Sequence, residues 1–89
     1  MYLAKVVGTV VSTRKDDNLV GNKMLLVKKL SDDMEVVGRT EIAVDTVGAG
    51  TGEIVIISMG SSAKYALGNP KSPVDATIVG IVDSVELNI

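Results

Sequence analysis

The chain has 89 residues, no cysteine, no histidine, two tyrosines as its only aromatics, and a formal charge of −2. Those absences exclude disulfides, thiolate chemistry, the commonest general base and the commonest metal ligand. An acidic chain with so few stacking rings also offers little to nucleic acid, and its longest apolar runs, such as Ile54-Val55-Ile56-Ile57, fall far short of the ~20 residues that span a bilayer.

β-branched residues punctuated by turn residues predict five strands. The first covers residues 2–13 and ends in a polar loop through Arg14-Lys15-Asp16-Asp17-Asn18. The second covers 23–30. A loop through Ser31-Asp32-Asp33 and Gly38 leads to the third, over 41–47. The turn Gly48-Ala49-Gly50-Thr51-Gly52 precedes the fourth, over 53–59. Ser61-Ser62-Ala63-Lys64-Tyr65-Ala66-Leu67 then reads as a short helix, with Ser61 or Ser62 as its cap and Gly68-Asn69-Pro70 as its stop. The last strand covers 76–87, and its end alternates Val85, Leu87 and Ile89 with Ser84, Glu86 and Asn88, as a half-exposed strand does.

Val6-Val7-Gly8-Thr9-Val10-Val11-Ser12 resembles Ile78-Val79-Gly80-Ile81-Val82-Asp83-Ser84. The economical reading is two long strands, each with a glycine where the sheet bends. Five strands, two of them bent, and one short helix make an all-β domain: a small five-stranded OB-like barrel spanning residues 1–89 as a single unit.

Composition sets a further condition. A domain of this size buries only about 60% of its unfolded surface, yet 46% of the residues are hydrophobic and the mean hydropathy is +0.35. Several strands, Met24-Leu25-Leu26-Val27 among them, are apolar on both faces. The surplus calls for a cover, and further copies of the chain supply one. Met1-Tyr2-Leu3-Ala4-Lys5 lacks the pattern of a signal peptide, so a cytoplasmic protein is expected.

The most distinctive segment is Asp45-Thr46-Val47-Gly48-Ala49-Gly50-Thr51-Gly52-Glu53. Alternate glycines can cradle a phosphate, but loops of that kind open onto a helix and this one opens onto a strand. A tight strand connection is the plainer account. Glycines also admit positive φ and the close approach of another backbone, so in a ring Gly48, Ala49, Gly50, Thr51 and Gly52 are candidates to line the central axis. Gly60-Ser61-Ser62-Ala63-Lys64 can be an anion-binding helix start or simply a capped one. Asp16-Asp17 and Asp32-Asp33 lack the spacing of a cation loop, and nothing pairs Asp45, Glu53, Asp75 or Asp83 as catalytic carboxylates. No cofactor, metal or enzymatic activity is expected.

The blocks Gly21-Asn22-Lys23-Met24-Leu25-Leu26-Val27, Ala43 to Glu53, Gly60-Ser61-Ser62-Ala63-Lys64, Pro73-Val74-Asp75-Ala76 and Val79-Gly80-Ile81-Val82-Asp83 resemble, in order, the EutN/CcmL family of bacterial microcompartment vertex proteins. The resemblance implies an OB-like barrel that assembles as a homopentamer and closes the corners of a polyhedral shell whose facets are hexameric tiles. It also marks Asp45, Glu53, Ser61, Ser62, Lys64 and Asp83 as candidate interface or motif positions. Lys64 stands where the family usually has Arg, and a Lys does not reproduce a bidentate guanidinium contact. Residues 31–40 carry no family motif and read as a variable loop. The alternative reading is an OB-like binding module for single-stranded nucleic acid or a small ligand.

Overall fold

The structure is a computed structural model that describes residues 1–88. Five strands are present: β1 (Tyr2–Val10), β2 (Lys23–Leu30), β3 (Val36–Asp45), β4 (Ile54–Met59) and β5 (Ala76–Val82), with one helix, α1 (Ser61–Leu67), between β4 and β5. They close into a barrel in the order β1-β2-β3-β5-β4. All neighbours are antiparallel except β3 and β5, which run parallel and meet only at Val44–Thr77 and Asp45–Ile78. That short parallel seam is what shuts the barrel. Among the described residues no helix is long and apolar enough to cross a membrane.

Alternation along the strands fills the interior. Ala4, Val6, Leu25, Val27, Ala43, Val55, Ile57, Ala76 and Ile78 form one buried cluster, with Ala49 of the β3–β4 loop turned into it. Burying a side chain such as Leu25 or Ile57 contributes about 1.5–3 kcal/mol, so these few residues supply most of the cohesion. A smaller cluster of Met24, Val44 and Val74 lies nearby, with Val10, Leu19 and Leu67 against it.

Both predicted bends are real. Along β1, Val6 pairs with Val27 and Gly8 with Leu26, so Val7 is extra. Along β5, Gly80 pairs with Ile56 and Ile78 with Ile57, so Val79 is extra. The repeated Val-Gly is therefore a β-bulge used twice, and a bulge of this kind bends a strand enough to close a small barrel. The glycines answer to packing rather than to unusual φ: a Cβ on Gly8 would lie 3.3 Å from Leu26 Cδ1, and one on Gly80 3.2 Å from Ile56 Cδ1.

Several expected boundaries move. β1 stops at Val10, so Val11-Ser12-Thr13 belongs to the loop. β3 begins at Val36 rather than 41, and absorbs half of the segment read as a variable loop. Gly38, with φ of 75°, sits in a bulge between the pairs Val27–Glu41 and Lys29–Val37; it interrupts the strand without ending it. β5 stops at Val82, which pairs with Ile54, the first residue of β4; Ser84–Asn88 runs past the end of that partner and is not a strand. Ile89 of the predicted alternation lies outside the described residues.

The helix cap also differs. Gly60 is the N-cap and no side chain caps α1. Its φ of 63° and ψ of −141° suit only glycine, so the two serines are displaced into the first turn. Gly68 does end the helix: it is left-handed, and its N–H donates to Lys64 O and Tyr65 O. Thr77, fully buried, ties α1 to β5 by donating to Ala63 O at 2.9 Å.

Candidate assembly surface and glycine loop

The β3–β4 loop is braced from inside its own chain. The Asp45 side chain, 1% exposed, accepts from Val47 N–H at 3.0 Å through Oδ1 and from Ala49 N–H at 2.8 Å through Oδ2. Lys23 donates to Ala49 O at 2.8 Å and lies 3.9 Å from Asp45 Oδ2. At the far side Glu53 Oε1 accepts from Gly50 N–H at 2.7 Å. Gly52 N–H donates to Val6 O, and Val6 N–H to Glu53 O, which joins the loop's base to β1. Ala49 thus points inward while Gly48, Thr51 and Gly52 stay on the surface.

Asp45 and Glu53 accordingly hold the loop's shape. Two of the three glycines need their freedom, Gly48 at φ 80° and Gly52 at φ 92°. Gly50 does not: it lacks positive φ, and a Cβ there would meet only Glu53 Oε1, at an ordinary 3.5 Å. The expectation of left-handed backbone at Gly50 is corrected on this point. Sequence spacing alone could not separate it from its neighbours.

The remaining candidates are scattered. Ser61 and Ser62 are exposed on the first turn of α1, and Lys64 is half-buried on the same helix. Among the described residues Lys23–Asp45 is the sole ion pair, so Lys64 meets no carboxylate. Asp83 is exposed at a bend after β5. Asp16 caps a short 3₁₀ turn (Asp17–Leu19) by accepting from Asn18 N–H. Among the described residues no three His, Cys, Asp or Glu side chains converge as a metal site.

Chemistry is sparse elsewhere too. Tyr2 closes one end of the barrel, donates to Glu41 Oε2 at 3.2 Å and lies under the Lys29 ammonium, 5.4 Å from the ring centre. Burial and the Glu41 carboxylate push its hydroxyl up to about 12. Tyr65 stands 90% exposed on α1.

The outside of the barrel is greasy. Val7, Val11, Val20, Val36, Val37 and Ile42 are exposed, as are Val47, Met59, Ile81, Val85 and Leu87. Sequence reasoning found the surplus from composition but could not say which residues carried it. Val20, Val36 and Val37 in particular lay in segments read as loop or left unassigned.

Comparison with known proteins bears on this surface. Residues 1–83 match the family model described as ethanolamine utilisation protein EutN/carboxysome. The chain is 56% identical over 86 residues to the bacterial microcompartment shell vertex protein GrpN of Rhodospirillum rubrum, covering 97% of both. It is 49% identical over 87 residues to the carboxysome shell vertex protein CcmL of Synechocystis sp., covering 98% of this chain and 87% of that one. Among solved structures, the GrpN pentameric microcompartment shell protein from Rhodospirillum rubrum superposes with a TM-score of 0.89 at 53% identity over 100% of both chains.

Proposed function

The chain belongs to the EutN/CcmL family, and from that membership we propose that it is a vertex subunit of a bacterial microcompartment shell, working as a homopentamer. The observation that carries this is the end-to-end likeness to a pentameric shell protein, joined to an apolar exterior that a lone barrel has no use for. The role is structural. A sheet of hexagonal tiles stays flat, and fivefold positions supply the curvature that closes a shell. A head-to-tail contact whose rotation closes after five copies makes such a unit. Its place is the shell of a microcompartment in the bacterial cytoplasm, and its neighbours there are hexameric shell proteins.

Within the ring, the Gly48–Gly52 loop is the segment proposed to face the fivefold axis. It is exposed at Gly48, Thr51 and Gly52, is held in shape by Asp45 and Glu53, and lacks a side chain at Gly50, which lets a neighbour approach closely. Native mass spectrometry tests the central claim. The expected result is one dominant species of five 9.3 kDa chains; a dominant monomer at micromolar concentration would overturn it. Mixing with a hexameric shell protein, followed by electron microscopy, tests the partner: closed polyhedra are expected with the vertex subunit and open sheets or tubes without it.

A further inference from the structure

Among the described residues, two rows of backbone groups stand out as having no backbone partner. The first is one edge of β3. Between Val36 and Ile42 the strand pairs with β2 alone, because β5 reaches only Val44 and Asp45. Among the described residues no loop backbone bonds to that edge either. A shallow groove of about 310 Å³ runs beside it, lined by Arg39, Thr40, Glu41, Ile42 and Asp75. The second row is the tail after β5. Among the described residues no backbone hydrogen bond holds Ser84–Asn88 to the barrel. The tail lies by side chains alone along a cleft with Tyr2, Leu3, Leu30 and Met34, which it leaves open by about 310 Å³. Leu87 remains 58% exposed there.

We propose that Ser84–Asn88 of one copy adds as a strand to the free β3 edge, Val36 to Ile42, of the next copy in the ring. The inference rests on the pentamer reading and deepens it by naming the contact. An unpaired strand edge is a template for an extended segment, main-chain bonds giving affinity and alternate side chains giving fit. The tail has the required pattern, since Val85 and Leu87 alternate with Ser84, Glu86 and Asn88. At ~3.3 Å per residue the tail spans about 17 Å, and the free edge is slightly longer. Val85 and Leu87 fall on one face of the added strand, the face on which the free edge carries Val36 and Ile42, both exposed in the single chain. Arg39 is the groove's cation and Glu41 and Asp75 its anions, so Glu86 pairs best at the Arg39 end, which sets the register. Donor and acceptor are different surfaces of one chain, so the contact repeats head to tail and closes a ring.

The chain has no cysteine, which makes a clean cross-linking test. Leu87→Cys is combined with Val36→Cys in one variant and with Ile42→Cys in another: the two lie on one face at opposite ends of the free edge, and the two strand directions bring different ones to Leu87. After a short thiol-to-thiol cross-linker, one of the two variants gives a ladder of covalent dimers up to pentamers on a denaturing gel. A single internally linked chain, or an intact pentamer that yields no ladder in either variant, overturns the proposal. So does a ladder formed instead by Val37→Cys with Ile81→Cys, which would place β5 of the neighbour on that edge. Truncation after Asp83 supplies a second readout: the concentration at which the pentamer dissociates rises at least tenfold, and an unchanged midpoint counts against the tail. If the unmodified chain is monomeric by native mass spectrometry, it is the ring itself that fails, and the two failures are thereby told apart.

Discussion

At the scale of single residues, the glycine loop separates what the fold needs from what the ring needs. Gly48 and Gly52 hold positive φ, and a side chain at either costs the barrel about 1–2 kcal/mol. Gly50 is free of that demand and has room for a Cβ. Gly50→Val is therefore expected to change the melting temperature of the barrel by only a few degrees while weakening the pentamer at least tenfold. Thermal unfolding by circular dichroism and dissociation by native mass spectrometry read the two effects separately, and a pentamer as tight as the unmodified one would remove this loop from the axis. The loop was legible as the most unusual stretch of sequence. Its bracing was legible less fully: Asp45 and Glu53 stood out at its ends, but nothing in their spacing said that one would bind two N–H groups and the other a single one. Tyr2 makes a second residue-scale case. Its hydroxyl is held protonated up to about 12, above the ordinary value of about 10. The folded state thus keeps a proton that the unfolded chain gives up. The stabilisation from this group is whole below pH 10 and is lost as pH rises from about 10 to 12. Tyr2→Phe is expected to cost about 1 kcal/mol at pH 7 through the lost Glu41 bond and to flatten the alkaline limb of a stability–pH curve. Urea unfolding at pH 8 to 11 checks it, and an unflattened limb contradicts the assignment.

At the scale of elements, what could be read depended on whether the deciding partner lay nearby in sequence. The strand count, the glycine stop of α1 and the two Val-Gly bends were legible because each is local chemistry. The bulges follow from a glycine inside a β-branched run. The start of β3 was missed because Gly38 and the charged residues around it look like a loop; only β2 alongside shows that the strand survives a bulge there. The expected serine cap is absent because the path from β4 into α1 requires glycine at the cap, a demand made by the barrel and not by the helix. The bulges also allow a quantitative test. A Cβ on Gly80 falls 3.2 Å from Ile56 Cδ1, a flexible methyl end, so Gly80→Ala is absorbed by a small rotation at a cost under about 1 kcal/mol. Gly80→Val adds two further carbons in a closed barrel and is expected to cost about 2 kcal/mol. Denaturant midpoints of the two variants should differ accordingly; equal midpoints would show that β5 is not pinched against β4 at this point.

At the scale of the whole molecule, the chain is two designs in one sequence. The interior is a short list of aliphatic side chains that stabilises a single barrel, and it would do so without Val36, Val37, Ile42 or Leu87. The exterior answers to a neighbour. The proposed contact would account for a tail that alternates like a strand yet is not one in the single chain. It also makes a sharp prediction, because the two designs can be damaged independently. Ile42 is 52% exposed, so Ile42→Glu removes only part of a buried side chain and should shift barrel stability by less than about 1 kcal/mol. In the proposed contact the exposed half of the same residue is covered, and losing it removes about half of the roughly 1.5–3 kcal/mol that fully burying an isoleucine contributes. Each ring contains that contact five times, and closure makes every one depend on the others. A change the barrel scarcely feels is thus multiplied in the assembly. The expected outcome is a variant with a native circular dichroism spectrum that elutes and flies as monomer under conditions where the unmodified chain is pentameric. If Ile42→Glu instead stays pentameric, the apolar exterior around β3 serves some other contact, such as the one with the neighbouring shell tiles.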